Sequence, residues 1–154
     1  MVFSGVYNGN EAAAGIRTQS INIANLFTNF YQFENLAWNY TEFTGRSDYG
    51  PFIANGVPAG GLFAGAEVIK PVAFRKPYGG IALASFDTCY HLYCDSTENI
   101  SNESLDQSAR AAYYSTIELA TRPNLRSWLS TPTKLDKTSR SLPFKGHDSV
   151  FLQQ

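Results

Sequence analysis

The two cysteines of this 154-residue chain and one of its two histidines fall in the seven-residue stretch Cys89-Tyr90-His91-Leu92-Tyr93-Cys94-Asp95. A disulfide between Cys89 and Cys94 would close a small loop and turn Tyr90 and His91 outward at its tip. That arrangement would hold a candidate metal ligand beside a hydroxyl donor. Two alternatives remain open: an isolated thiol pair in a reducing compartment, and a surface loop whose histidine has no chemical role.

A second stretch, residues 45–52, is typical of a tight turn between a strand and a short helix. Residues 57–64 follow, and they predict a short buried strand whose glycines allow other backbone or a substrate to come close. In sheets with helical crossovers, ligands bind at loops that follow strand ends, so we expect Arg46 and the segment from Phe63 to Glu67 to serve function. The structural alternative for Arg46 is an ion pair with Asp48 or Glu67.

Two segments, GRSDYGPFIANGVPAGGLFAGAE and FDTCYHLYCDSTENI, together carry a family pattern, with Arg46 lying 45 positions before His91. From about residue 3 to residue 121 the chain resembles the C-terminal half of a di-zinc aminopeptidase of the family of bacterial leucyl aminopeptidases and fungal aminopeptidase Y. The resemblance implies an α/β fold: the C-terminal portion of a mixed-sheet zinc-exopeptidase fold with helices on both faces, truncated at the N-terminus. The implied activity is zinc-dependent hydrolysis of N-terminal residues from peptides.

The resemblance also implies roles for individual residues. His91 matches the last zinc ligand, and Tyr90 matches a catalytic residue that donates a hydrogen bond to the oxyanion of the tetrahedral intermediate. The pair Cys89–Cys94 matches the family disulfide that frames both. Arg46 and Phe63 match substrate-binding residues, the first at the binding end of the site and the second in the wall of the apolar pocket. A hydroxyl beside a zinc ligand is chemically reasonable, because it stabilises charge that develops only in the transition state.

The chain departs from the family pattern in its metal ligands. The family site resembles a cluster of two His, two Asp and one Glu with a second Glu as general base, and only His91 of these groups is present here. A hydrolytic zinc needs three protein ligands and an open position, so one imidazole is not enough. His147 lies in a motif similar to that of the first ligand, but its spacing is one residue short and it lies at the wrong end of the chain. We therefore predict no metal role for His147.

Two functions from different classes follow. In the first, the chain is part of a metallo-exopeptidase, inactive alone, whose partners are a peptide substrate and the missing N-terminal half. In the second, it is a non-catalytic remnant that binds peptides or a partner protein through the same fold.

Hydrophobic periodicity predicts the elements that must position these residues. Residues 2–7 form a predicted strand, and a helix is expected from Thr18 or Ser20 to about Asn35, followed by a half-buried strand at residues 38–43. A long loop is expected from residue 68, ending in a short helix or turn around residues 81–86. Ser101 is the predicted cap of a last helix. The stripe expected to pack that helix against the sheet consists of Leu105, Ala109, Ala112, Tyr113, Thr116, Ile117 and Ala120.

The charge distribution divides the chain. At 44% hydrophobic and 16% charged residues it suits one domain, but residues 1–121 hold 6 Lys/Arg against 11 Asp/Glu, and residues 122–154 hold 6 against 2. An acidic body argues against a nucleic-acid partner. We expect a partial aminopeptidase-like domain at 1–121 and a basic, disordered tail at 122–154, which is either an arm for an acidic partner, a solvated extension or non-homologous coding sequence.

The sequons at Asn39, Asn99 and Asn102 predict glycosylation and passage through the secretory route. No basic or apolar leader follows Met1, and no apolar run is long enough to span a bilayer, so no membrane association is expected. The chain is therefore either cytosolic, or it starts upstream and belongs to a secreted or vacuolar protein.

Overall fold

The sheet is organised around β1 (Gly5–Tyr7), which lies between its neighbours in the strand order β2-β1-β3. In this computed structural model, which describes residues 3–135, β2 (Asn39–Thr41) pairs with β1 in parallel and β3 (Leu62–Phe63) in antiparallel orientation. A parallel pair needs a crossover connection, which α1 (Arg17–Phe33) supplies. This arrangement confirms the predicted α/β class with a mixed sheet. Each of the three strands is shorter than predicted.

Gly5 allows β3 to pack closely against β1 in the middle of the sheet. It stands opposite Asn39 on one side and Phe63 on the other. A Cβ atom at this position would lie 2.9 Å from the Phe63 carbonyl oxygen, closer than such contacts occur. A larger residue would therefore push β3 away from β1.

The two faces of the sheet build two separate clusters, as expected for side chains that alternate along strands. Val6 faces α1, where it packs with Phe27, Phe30, Tyr31 and Trp38. On the opposite face, a smaller aromatic cluster contains Phe3, Phe74 and Tyr78, with Phe63 and Phe86 packed against it.

α1 lies where the periodicity placed it, but the predicted caps are wrong. The N-cap position is Ile16, and Thr18 and Ser20 lie inside the helix. Ser20 is fully buried, and its hydroxyl accepts a hydrogen bond from the Ala59 N–H at 3.3 Å. This bond ties α1 to the segment before β3. The second short helix, α2 (Tyr49–Ala54), begins after Asp48 as expected, without a side-chain cap bond.

The region predicted as a long loop contains a 3₁₀ turn (Val72–Phe74) that runs into α3 (Arg75–Tyr78). This helix was missed because it is only four residues long and contains Pro77. Residues 81–86 form a turn rather than a helix, with Ser85 bridged to Ile69.

The last predicted helix, α4 (Asn102–Thr121), begins at the expected cap, since the Ser101 hydroxyl accepts a hydrogen bond from the Ser104 N–H at 3.3 Å. Its predicted packing face is wrong. All seven residues of the expected stripe are exposed, Tyr113 at 71% and Leu105 at 58%. The buried positions are instead Ala111, which packs in the α1 cluster, and Ser115.

The tail differs from its prediction in its first part. α5 (Leu125–Ser130) lies in it, and the Asn22 amide donates to the carbonyl oxygens of Leu129 at 2.8 Å and Thr131 at 3.0 Å. These bonds satisfy carbonyls that the end of a helix leaves without partners, so residues 122–135 are ordered against α1. Residues 136–154, including His147, and Val2 lie outside the described part of the chain.

No helix within residues 3–135 has the length and apolar character needed to cross a membrane.

Candidate substrate-binding site

A pocket of about 270 Å³ opens beside the carboxyl ends of β1 and β2. Arg46, Phe63 and Tyr90 line it, although they come from three separate parts of the sequence. The structure thus brings together three of the four residues that were singled out for chemistry. The position agrees with the general rule that ligands bind outside the carboxyl ends of parallel strands.

The loop that carries Arg46 is held from within by Tyr49. The Tyr49 hydroxyl accepts hydrogen bonds from the backbone N–H groups of Thr44 at 2.8 Å and Gly45 at 2.9 Å. The Arg46 guanidinium then lies 2.6 Å from the Glu67 carboxylate. The ion pair that was the structural alternative for Arg46 is therefore present, and it lies at the pocket rather than away from it.

An antiparallel ribbon connects this wall of the pocket to the cysteine loop. The Asp87 N–H donates to the Ala66 carbonyl at 2.8 Å, and the Phe86 N–H donates to the Val68 carbonyl at 2.9 Å. Gly65 is required at the start of the ribbon: its φ is +103°, and a Cβ atom there would lie 2.4 Å from the Phe86 ring. Glu67 and Asp87, one from each arm of the ribbon, both line the pocket.

Tyr7 also lines the pocket, and two further aromatic rings pack against it. The Tyr7 ring stacks parallel to Phe43 at 5.0 Å, and Tyr49 packs edge-on against Tyr7 at 4.7 Å. Burial, reinforced by the neighbouring Tyr49 and then Tyr90, raises the pKa of the Tyr7 hydroxyl well above its ordinary value. Tyr7 is therefore a neutral hydrogen-bonding group across the ordinary pH range.

The cysteine loop is closed by a disulfide, with the Cys89 and Cys94 Cα atoms 5.3 Å apart. The structure thus contains the disulfide rather than the free thiol pair. His91 has a left-handed backbone with φ of +57°, and its ring stacks on Tyr90 with centroids 4.0 Å apart. Tyr90 is half-buried at the pocket, whereas His91 is exposed beside it.

No group of three or more His, Cys, Asp or Glu side chains able to hold a metal ion occurs within residues 3–135. A hydrolytic zinc takes three protein ligands. The residues described here do not fit a complete zinc site, and His91 is present as a single potential ligand.

The burial of Asn39 weighs against the glycan predicted there. Asn39 is 2% exposed, and its Oδ1 accepts a hydrogen bond from the Tyr78 hydroxyl at 2.5 Å. A glycan would be attached to Nδ2 of this buried side chain, so the packing around Asn39 and Tyr78 would have to open to admit it. Asn99 and Asn102 are exposed, so glycosylation at those two positions stays a prediction.

Sequence reasoning missed two pocket residues, Tyr7 and Asp87. It also missed Tyr49, which supports the loop that carries Arg46. Tyr7 is the last residue of β1, and the strand-end rule applied to Arg46 would also have selected it. Tyr49 and Asp87 act through hydrogen bonds to backbone N–H groups, for which the sequence carries no distinct signal.

Comparison with known proteins agrees with this geometry. A sequence model described as peptidase family M28 matches residues 6–116. The chain is 37% identical over 155 residues to "Leucine aminopeptidase 2" of Arthroderma otae, covering 96% of this chain and 31% of that protein. It is 38% identical over 158 residues to "Probable leucine aminopeptidase 2" of Trichophyton verrucosum, with the same coverage. "Leupeptin-inactivating enzyme 1" of Streptomyces exfoliatus is 46% identical over 74 residues, covering 48% of this chain and 17% of that protein.

The extent of these matches bears on the tail. The chain spans about a third of the length of the fungal relatives, at 31%. A match over 96% of 154 residues leaves out only about six, so it includes most of residues 122–154. The match therefore extends into the tail, which favours a homologous tail over non-homologous coding sequence.

Proposed function

The chain belongs to peptidase family M28, which is generally zinc-dependent, and on that premise we propose that it forms the substrate-binding side of an aminopeptidase. The reaction is hydrolysis of the N-terminal residue from a peptide. The observation that carries this proposal is the convergence of Arg46, Phe63 and Tyr90 on one pocket at the strand ends. These residues lie 17 and 27 positions apart in sequence, and the fold alone brings them together.

Each pocket residue has a chemical task in this proposal. Phe63 gives the side chain of the substrate's first residue an apolar surface, and Arg46, oriented by Glu67, binds polar atoms of the peptide. The Tyr90 hydroxyl donates a hydrogen bond to the oxygen on which negative charge develops during attack on the peptide carbonyl. A donor fixed in place before the reaction stabilises that charge without reorganisation.

His91 is the chain's contribution to the zinc cluster that the family uses. Its ring, stacked on Tyr90, would lie next to the reacting carbonyl in this proposal. Because the described residues supply one ligand, we expect no turnover from the chain alone. In the complete enzyme we expect a secreted or vacuolar location, with Asn99 and Asn102 as glycosylation sites.

A peptide-binding module without catalysis is the second candidate. The observation that favours it is a contrast: residues 3–135 supply the lining of the pocket, but they do not supply a complete set of zinc ligands. In that case the chain would bind peptides through the pocket residues, and no hydrolysis would follow.

A chimera separates the two candidates. The third of "Leucine aminopeptidase 2" from Arthroderma otae that matches this chain is replaced by the chain, and hydrolysis of a leucyl chromogenic substrate is measured. We expect turnover that His91→Ala abolishes. A folded chimera without turnover, together with leucyl-peptide binding by the chain alone, would favour the binding module. Metal-dependent turnover by the chain alone, lost on His91→Ala, would contradict the need for further ligands.

A further inference from the structure

Asp87 lies two residues before the disulfide loop, and a single oxygen of its carboxylate receives two hydrogen bonds. The Oδ1 atom accepts the backbone N–H of Cys89 at 2.9 Å and the side-chain amide of Asn99 at 3.0 Å. The same residue lines the pocket with Tyr90. Asp87 therefore connects the start of the loop, the segment after it and the pocket wall.

The backbone of Asp87 is fixed on its other side. Its N–H donates to the Ala66 carbonyl at 2.8 Å, in the ribbon that also carries Glu67. The carboxylate thus extends from a strand-like segment that is already hydrogen-bonded to its neighbour. The position of the Asp87 backbone is set by the ribbon and not by the cysteine loop, which the Asp87 carboxylate contacts.

The disulfide alone does not fix where Tyr90 points. It joins Cys89 to Cys94 and sets the size of the loop, but a loop joined only at its base is able to pivot as a unit about the residues that flank it. The bond from the Cys89 N–H to Asp87 fixes the loop at the residue directly before Tyr90. The bond from Asn99 holds the same carboxylate oxygen from the segment that follows the loop.

We propose that Asp87 is the positioning residue that orients the Tyr90 hydroxyl and the His91 ring at the pocket. This inference rests on the proposed aminopeptidase function for its catalytic consequence. Asp87 acts through an acceptor oxygen and not through charge, because both donors are neutral N–H groups bound to the same atom. An asparagine at this position keeps that oxygen, whereas an alanine removes it.

The kinetic test uses the chimera with Asp87→Ala and Asp87→Asn. Misplacement of a catalytic group by about 1 Å lowers the rate of the chemical step by up to roughly a hundredfold, so we expect Asp87→Ala to lower kcat by about tenfold to a hundredfold with KM changed less than about twofold. Asp87→Asn should retain most of kcat. Asp95→Ala, a matched change of an exposed aspartate directly after Cys94, should leave both constants unchanged. An equal loss in the alanine and asparagine variants would overturn the proposal, since it would assign the effect to the charge.

A second measurement is independent of activity and uses the chain alone. Amide hydrogen exchange of Cys89 should speed up at least about tenfold in Asp87→Ala and remain slow in Asp87→Asn, because the variants differ in the acceptor of that amide. If Asp87→Ala does not fold, Asn99→Ala removes only the second donor and should give a smaller change in the same direction. An inactive wild-type chimera would count against the proposed function, and the exchange measurement would still decide the role of Asp87. Unchanged exchange in Asp87→Ala would overturn that role.

Discussion

The guanidinium group of Arg46 lies 2.6 Å from the carboxylate of Glu67 at the edge of the pocket. The two side chains are 50% and 30% exposed, and solvent-exposed pairs of this kind contribute only about 0–1 kcal/mol to stability. The pair therefore matters for the direction in which Arg46 points. In the sequence analysis, a structural ion pair and a role in substrate binding were alternatives for Arg46. The two are compatible here because Glu67 also lines the pocket.

Replacing Glu67 by glutamine should weaken substrate binding and leave stability nearly unchanged. Without the charged partner Arg46 loses its preferred orientation, so we expect KM of the chimera to rise by roughly threefold to tenfold, equivalent to about 1 kcal/mol. The control is Glu34→Gln, which removes the ion pair with Arg110 between α1 and α4. A KM that changes equally in both variants would show that the effect is not local to the pocket.

Three buried tyrosines predict loss of stability in alkali. Burial raises the pKa of Tyr7, Tyr31 and Tyr78 above the ordinary value near 10. The unfolded chain therefore releases these protons first, and stability is intact below about pH 10 and falls above it, by up to about 1.4 kcal/mol per pH unit for each group. Burial lowers the pKa of Lys70, so this group makes the stability rise with pH up to about pH 10.5. The slope that is due to the tyrosines is therefore measured above that value.

Urea unfolding at several pH values between about 10.5 and 11.5, with a reference at pH 7, checks this slope. Tyr7→Phe should make it shallower, whereas Tyr93→Phe, which changes a fully exposed phenol, should not. An equal effect of the two substitutions would contradict the assignment to buried phenols.

Expression in a glycosylating host should leave Asn39 unmodified. Its side chain is buried against Tyr78, so we expect peptide mass spectrometry to find glycans at Asn99 or Asn102 and none at Asn39. Asn39→Ala should lower the free energy of unfolding by about 1–3 kcal/mol, because it leaves the Tyr78 hydroxyl buried without its acceptor. A glycan at Asn39 on folded material would contradict the observed packing.

The contrast between α1 and α4 shows what the sequence was able to predict. In α1 the apolar residues at helical spacing include large side chains, and Phe27, Phe30 and Tyr31 are buried. In α4 the helix meets the core through Ala111 and Ser115, small residues that allow close approach to α1. Periodicity finds the more apolar face of a helix, but the face that packs depends on the shape of its neighbour.

The exposed stripe of α4 predicts self-association. Three large apolar residues of this stripe, Leu105, Tyr113 and Ile117, are exposed. An exposed apolar patch is typical of an interface, so we expect the chain to sediment as concentration-dependent oligomers. Ile117→Lys should reduce this association. Val72→Lys, at a similarly exposed apolar residue away from α4, is the control and should not. A compact monomer at all concentrations would contradict the prediction.

The site was predictable where a residue type and its spacing carried a chemical meaning. Arg46, Phe63, Tyr90 and the Cys89–Cys94 pair were selected in this way, and the structure places all of them at or next to one pocket. The support beneath them was not predictable, because it consists of hydrogen bonds that residue types and their spacing do not specify, even inside the two motif segments. Asp87 is the clearest example, since both of its donors depend on the folded path of the chain.

The kcat of the chimera carrying Tyr90→Phe tests the central claim most directly. The substitution removes one hydroxyl and keeps the ring that stacks on His91. If this hydroxyl stabilises the oxyanion, kcat should fall by roughly a hundredfold or more with little change in KM. Tyr93→Phe, a matched change on the same loop at a fully exposed residue, should leave kcat unchanged. Equal kcat values for the two variants would contradict the proposed role of Tyr90 and, with it, the assignment of the pocket as part of an aminopeptidase site.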